Sequence, residues 1–359
     1  MSSSTSSSKP HRRFVIWLLA LVILPVAGFF ALGVYLQPLF GDLTRTGYYS
    51  EKEFGWNAPQ VIFAHTRLDF SDSLVDDRYY DVLVLGDSFS RARPEFQWQN
   101  YLATATRKSV GTLDINTIRL SRILTSKGFR EHPPRVFVME SVERMLPVHL
   151  KENAGTCEKM PYARKSYAAF SPVPGWKDHL AAETQRLERS TMWTEINPGY
   201  ESDYLQYKLF SDGAHSLVDR MDLARPAPFS NRNRLAILLY HDDIKKIKWW
   251  SDEGLSRMSC RIEALRRQVE ANGHTRFVLM VPPDKLTAYA DFLQDARLKQ
   301  ASLLPDLSGL HPDIMPRFDK ALISAIQAGE RDVYLPDDTH WGSSGQLIAA
   351  ETLIAFLGQ

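Results

Sequence analysis

Cysteine is scarce in this chain of 359 residues, where Cys157 and Cys260 are the only two. So wide a spacing makes no thiolate metal motif and no Cys-x-x-Cys redox centre. It leaves one disulfide in an oxidising compartment, or two buried free thiols. Charge of one sign is also lacking. With 43 Lys and Arg against 42 Asp and Glu, the net charge is +1, and no overall field draws in a polyanion. There is no basic stripe suited to nucleic acid, no glycine-rich phosphate loop, no zinc-type spacing among the histidines and no internal repeat. No nucleic-acid partner, metal or bound cofactor is therefore expected.

Long apolar runs are lacking except one. Phe14 to Leu36 is a run of 23 residues without a charge. As a helix it would be about 34 Å long, enough to cross a hydrocarbon core of about 30 Å. Residues 1–13 ahead of it read as a disordered, Ser-rich cytoplasmic tail. Lys9, Arg12 and Arg13 favour a cytoplasmic N-terminus, although Arg45 and Lys52 on the far side weaken the bias. A cleaved signal peptide is the alternative, but its apolar region runs about 7–15 residues. The small residues Ala27 and Gly28 also lie inside the run rather than after it. Arg12-Arg13 matches a twin-arginine signal only loosely. An uncleaved signal anchor is the preferred reading, with residues 38–359 as one body outside the cytoplasm.

That body alternates short strands with longer helices. Strands are expected at Val82–Leu85, Arg135–Glu140, Arg276–Val281 and Asp332–Leu335. Helices are expected at Gln97–Lys108, Thr117–Ser126, Ser251–Ala271, Lys285–Asp295, Phe318–Ala328 and Ser344–Leu357. The first three strands are continuous apolar runs, as strands covered on both faces require. The alternation implies an α/β fold with a parallel sheet and helices on both faces. From about Val148 to Trp250 the pattern fails, with Pro161, Pro172, Pro174, Pro198, Pro226 and Pro228 among many aromatics. This stretch reads as an insertion that either walls a binding site or fills a small core of its own. Gly41–Gln60 is too rich in aromatics and glycine to be a plain linker, so it should pack on the body.

The chemistry concentrates in two short segments. Asp81 to Ser90 reads Asp-Val-Leu-Val-Leu-Gly-Asp-Ser-Phe-Ser, and Asp337 to Gly342 reads Asp-Asp-Thr-His-Trp-Gly. Each follows an expected strand, and catalytic groups in open α/β sheets gather at strand carboxyl ends. Ser88 supplies a hydroxyl, His340 a base titrating near neutrality, and an acid can fix the tautomer of that base. Asp338, two residues from His340 on an extended segment, points to the same side. It is preferred to Asp337, which needs a turn at Pro336. N–H groups at the serine turn can face a developing oxyanion. The elbow Gly-x-Ser-x-Gly is not matched, because Ser90 stands at the last position. The bland alternatives are that Ser88 satisfies its own turn and that His340 is a core histidine beside Trp341. For Glu143-Arg144 they are a solvated or internally paired couple, and for Lys285 a helix first turn.

Val84-Leu85-Gly86-Asp87-Ser88-Phe89-Ser90 resembles the first block of the SGNH (GDSL-type) hydrolases. Asp338-Thr339-His340-Trp341 is similar to the Asp-x-His-Trp block of the branch that contains the alginate O-acetyltransferases. Glu140-Ser141-Val142-Glu143-Arg144 and the connector around Phe54-Gly55-Trp56-Asn57 also look like that branch. The likeness covers the body in patches, most firmly residues 41–145 and 275–359. It implies a flavodoxin-like sheet, with Ser88 as nucleophile, His340 as base and Asp338 as its partner. It further implies acetyl transfer to an exported polysaccharide, beside a membrane-bound O-acyltransferase that supplies the acetyl groups.

Three features depart from the branch. The serine block precedes the histidine block, whereas the alginate enzymes reverse them. The Gly-x-Asn-Asp block is missing, which leaves Gly111, Asn116 and Arg144 as oxyanion or substrate candidates. No separate carbohydrate-binding module is present. The resulting expectation is a single-pass protein of a bacterial inner membrane with a periplasmic O-acetyltransferase body. An SGNH carbohydrate esterase and a non-catalytic scaffold of an export complex are the alternatives.

Overall fold

The computed structural model describes residues 8–36, 41–63, 68–71, 78–155, 157, 165–180, 182–185, 198–210, 217–300 and 302–359. Nine strands run in chain order: β1 Gln60–Phe63, β2 Leu68–Ser71, β3 Val82–Gly86, β4 Val110–Asp114, β5 Val136–Glu140, β6 Ala182–Gln185, β7 Val218–Asp222, β8 Ala236–Tyr240 and β9 Arg276–Met280. Five of them form a central sheet in the order β2-β4-β3-β5-β9, and every pairing in it is parallel. Two antiparallel pairs, β1 with β6 and β7 with β8, lie outside it.

The period-two geometry of a strand sends neighbouring side chains to opposite faces, and here both faces are apolar. Val82 and Val84 of β3 join Trp98, Tyr101, Phe318, Leu322, Ala350 and Leu353 in one core. Leu83 and Leu85 join Leu146, Leu150, Met258, Ile262, Leu265 and Leu307 in another. Helices Trp98–Thr106, Phe318–Gln327 and Ser343–Leu357 thus cover one face, and Leu146–Asn153, Leu255–Val269 and Leu304–Leu310 the other. The chain is a mixed α/β fold built on a mainly parallel sheet.

Four expectations need correction. The helix expected over Lys285–Asp295 is only one turn, Lys285–Ala288, followed by a 3-10 turn at Ala290–Phe292. Asp332–Leu335 is no sheet strand: it makes one bridge, Tyr334 to Trp341, within its own loop. Two of its backbone bonds are local, Gly342 N–H to Val333 O at 3.1 Å and Leu335 N–H to His340 O at 3.1 Å, and Asp332 N–H goes to Pro228 O at 3.1 Å rather than to a sheet strand. Asp332 at φ 49° bends the segment, and Pro336 has no N–H for a ladder. The long helix expected over 251–271 is interrupted. Gly254 takes φ 76°, so helix His241–Glu253 stops there and Leu255–Val269 begins anew. The tail is also shorter than expected, because the first helix already starts at Ser8 and takes in Lys9 to Arg13; residues 1–7 lie outside the described residues.

Helix Ser8–Leu36 is the one among the described residues that is long and apolar enough to cross a membrane. Trp17, Leu21 and Leu24 stand exposed along it, while Gly33 and Leu36 at its end pack on the body. There the Ser50 hydroxyl donates to Tyr35 O at 2.8 Å, and the Tyr35 hydroxyl donates to Glu53 Oε1 at 3.1 Å.

The connector Gly41–Gln60 folds into helices Asp42–Gly47 and Glu51–Phe54 and then enters β1. Its Leu43 and Phe54 share a small core with Val218, Ala236 and Leu238, so this part of the insertion packs on the connector. Residues 156, 158–164, 181, 186–197 and 211–216 of the expected insertion lie outside the described residues. Cys157 and Cys260 are joined in a disulfide with Cα atoms 5.7 Å apart, within the usual span. The bond ties the start of the insertion to helix Leu255–Val269.

Candidate active site at the carboxyl ends of the parallel strands

From β3 the chain passes to β4 on one side and then crosses to β5 on the other. The carboxyl ends of β3 and β5 therefore flank the point where strand order reverses, the crevice that open α/β sheets use for ligands. Gly86 ends β3 there. A Cβ at that position would lie 2.7 Å from Glu140 Oε2 and 2.8 Å from the Ser90 side chain, so only glycine lets the two strand ends close up.

The turn after Gly86 is held by acids. Asp87 Oδ1 accepts from Phe89 N–H at 3.0 Å, capping the short helix Ser88–Arg91, and Oδ2 accepts from Val142 N–H at 2.8 Å. Glu140, buried at the end of β5, accepts from Asp87 N–H at 2.9 Å and from the Ser90 hydroxyl at 2.8 Å. Burial, and then the neighbouring charge of Asp87, push Glu140 well above the usual carboxylate range. The N–H of Ser90 goes to Asp87 O at 3.0 Å. Ser88 is left exposed, and among the described residues neither its N–H nor its hydroxyl has a partner. Of the N–H groups in the turn, that of Ser88 is the one available to an oxyanion.

The histidine loop is held from three sides. Asp338 Oδ1 lies 2.6 Å from His340 Nδ1 and also accepts the N–H of His340 at 2.9 Å. Asp42, from the connector, accepts from Thr339 N–H at 2.8 Å and from the Thr339 hydroxyl at 2.5 Å, with Oδ2 3.8 Å from His340 Nδ1. From below, the buried ammonium of Lys285 donates to the carbonyls of Leu335, Pro336 and Asp338 at 2.8, 2.9 and 3.1 Å. Burial brings Lys285 down to about 8, against the pull of Asp337, Asp42 and Asp338. Asp337 makes no hydrogen bond or ion pair with His340 among the described residues. It is buried against Glu51, and burial with that neighbour's charge raises it well above the usual range. Its backbone carbonyl accepts from Leu43 and Thr44 N–H at 3.0 and 3.3 Å.

These contacts set the state of the imidazole. Burial works against its charge, but Asp338, by its charge and hydrogen bond, and Asp42 outweigh it, so the pKa of His340 is raised. Asp338 is correspondingly lowered despite burial. With Nδ1 committed to Asp338, the free nitrogen is Nε2, which is buried and has no partner among the described residues.

The serine turn and the histidine loop meet through Phe89, whose ring centroid lies 4.9 Å from that of His340 and 5.0 Å from that of Trp341. The structure thus brings together the residues flanking Ser88 and His340, with Asp338 on the imidazole, and draws no hydrogen bond from Ser88 to Nε2. Hydrogen bonds of this kind are often loose before substrate binds. A cleft of about 580 Å³ opens beside His340 and Asp338, lined also by Trp56, Arg93, Phe96 and Trp341.

The other candidates separate. Arg144 Nη1 bonds Asp284 at 2.9 Å and Asp243 at 3.2 Å, with the Tyr240 ring 5.3 Å from the guanidinium. Burial opposes its charge, and Asp243, Asp284 and Asp87 outweigh that; it also lies within electrostatic reach of His340. Arg144 does not pair with Glu143, whose carboxylate takes Lys246 at 2.8 Å, the Thr287 hydroxyl at 2.7 Å, Asp284 N–H at 2.9 Å and the Ser302 hydroxyl. Asn116 is exposed on the turn after β4, bonded to Asp114, which pairs with Arg91 of the serine helix at 2.7 Å. Gly111 is displaced from the crevice. It pairs with Leu83 in mid-strand, and a Cβ there would meet Tyr80.

Asp42, Glu140 and Thr339 complete the arrangement without having been singled out in the sequence. Glu140 did carry a signal, as a lone acid closing an apolar strand. Asp42 carried none. Asp42, Asp338 and His340 offer ligand atoms within 4.8 Å of one another, enough for a metal ion, although Thr339 and His340 already engage those atoms. No protein-family model, curated protein or solved structure matches the chain.

Proposed function

We propose that this chain is a membrane-anchored serine O-acetyltransferase with an SGNH-like, flavodoxin-like body, which transfers acetyl groups to an exported or cell-surface polysaccharide. The observation that carries the reading is the His340–Asp338 pair at the strand-switch crevice, with Phe89, next to Ser88, against the imidazole. In this reading the Ser88 hydroxyl attacks the acetyl carbonyl and its proton passes to His340 Nε2. Asp338 holds the resulting imidazolium, and the N–H of Ser88 faces the oxyanion. The donor leaves with the proton, and acetyl-Ser88 forms. A sugar hydroxyl then attacks the ester and gives its proton to Nε2, and the imidazolium returns a proton to Ser88 Oγ as that oxygen leaves, so the serine and the neutral imidazole are both regenerated.

The anchor helix and the disulfide support a body outside the cytoplasm, since disulfides persist in oxidising compartments. That is where an exported glycan would meet it, in the periplasm beside an inner-membrane O-acyltransferase acting as acetyl supplier. A second reading, a carbohydrate esterase, is favoured by the exposure of Ser88, which admits water as the second acceptor.

The test uses the full chain in detergent, because Leu36 and Tyr35 at the anchor's end are built into the body. It should release acetate from an activated acetyl ester and carry an acetyl group on Ser88 detectable by peptide mass spectrometry. Ser88→Ala and His340→Ala should each remove both signals. Full turnover by Ser88→Ala ends the proposal. An added glycan oligomer separates the readings: acetylated sugar marks a transferase, free acetate alone an esterase.

A further inference from the structure

We propose that helix Pro198–Phe210 is a second membrane element, lying in the polar boundary of the bilayer beside the anchor, with Leu205 and Leu209 turned into the lipid. The proposal rests on the reading of Ser8–Leu36 as a membrane span.

The helix packs against the anchor helix, and Tyr204 lies within electrostatic reach of Tyr35 in the anchor's last turn. An element touching that turn sits at the level where a span of this length leaves the hydrocarbon. One face of the helix is spent on the body. Tyr200 and Tyr207 stack on Tyr48 with centroids 5.5 and 4.9 Å apart, and the Tyr200 hydroxyl donates to Thr44 O at 3.1 Å. Lys208 Nζ lies over the rings of Tyr49, Tyr204 and Tyr207.

The opposite face carries Leu205 and Leu209, one turn apart and on the same side. They are 36% and 69% exposed, and outside the anchor no other large apolar side chain among the described residues is as exposed as Leu209. Tyrosines and a lysine flanking an outward leucine pair, next to a span, match the chemistry of the membrane interface, where amphipathic rings and long cationic side chains settle. A bilayer is the occupant that continuity with the anchor supplies.

The seating would reach the candidate site. Tyr200 holds Thr44, Thr44 N–H holds Asp337 O, and Asp337 is followed by Asp338 and His340. Fixing this helix at the surface fixes the height of His340 above the membrane.

Single cysteines at Leu209, Leu205, Leu310 and Leu21 in the full, oxidised chain, each labelled with an environment-sensitive fluorophore, test the idea. The protein is reconstituted in phosphatidylcholine–phosphatidylglycerol vesicles bearing lipid nitroxides at shallow or deep positions. Labels at 205 and 209 should be quenched several-fold more by shallow nitroxides than the label at Leu310, which is 56% exposed on helix Leu304–Leu310. The label at Leu21 should respond most to deep ones. Aqueous iodide quenching at 209 equal to that at 310 overturns the proposal. So does a 209 label shielded from both iodide and lipid, which would mean that protein covers this face. If Leu21 escapes lipid quenching, the anchor reading itself fails and this proposal falls with it.

Discussion

Phe89 packs its ring 4.9 Å from the imidazole of His340, centroid to centroid, so the residue after the candidate nucleophile also seats the candidate base. One side chain couples the two loops. Phe89→Ala should cost about 3–5 kcal/mol of stability, as for other buried phenylalanines. It should also lower the turnover of an activated acetyl ester more than its KM, because the imidazole loses its wall. Phe89→Leu should restore most of both. Equal losses in the two variants, by thermal unfolding and steady-state kinetics, would remove the positioning argument.

The pH dependence of acetate release follows from the charges around His340. Only neutral imidazole accepts a proton, and Asp338 and Asp42 outweigh burial to raise its pKa. Activity should therefore climb with pH through a midpoint above the ordinary value of about 6.5. Asp338→Asn removes the strongest support for the imidazolium, so the midpoint should move to lower pH while the plateau drops. In a serine protease triad the equivalent change costs roughly 10⁴-fold. A profile whose midpoint stays put in Asp338→Asn would assign the titration to another group.

Lys285 shows how much the histidine loop depends on a residue outside it. Its ammonium, 1% exposed, donates to three carbonyls of that loop, which has no place in the sheet to hold its shape. Lys285→Met leaves those carbonyls and the nearby carboxylates uncompensated, a change that typically costs about 3–5 kcal/mol. Denaturant unfolding measures that cost. Acetyl-Ser88 formation should fall with it, even at temperatures where the variant is folded.

The parts of this architecture that could be read from the sequence are those set by local pattern. Val82–Leu85 and Arg276–Val281 are apolar runs that both faces of a sheet require, and they appear within a residue of their expected ends. The long apolar helix near the N-terminus was equally plain. What escaped was decided at long range. β4, Val-Gly-Thr-Leu-Asp, has a weak pattern and becomes a strand because β2 and β3 close on it from either side. Asp332–Leu335 looked like a strand, yet Asp332 and Pro336 turn it into a loop. The same holds at the site. Asp338 was placed beside His340 by a two-residue spacing, whereas Asp42 reaches Thr339 across 297 positions and no local pattern marks it.

Asp337 and Glu51 offer a test of how the connector is fastened to the histidine loop. Both carboxyls are buried and shifted upward, Asp337 by burial and then by Glu51, and Glu51 by burial first. Each therefore keeps its proton to higher pH in the folded chain than in the unfolded one. The unfolded chain releases that proton near pH 4, the ordinary carboxylate range, while the folded chain keeps it to higher pH. As pH rises through this window the folded state binds more protons than the unfolded one, and the pair's contribution to stability declines. Asp337→Asn takes the titrating acid away while keeping a donor for Glu51. Its melting temperature relative to wild type should therefore rise from pH 4 to pH 7, with the sign of the change favouring the variant at the upper end. A wild-type-minus-variant difference that stays flat across that range, measured by calorimetry, would show that the titration of this pair is not linked to folding.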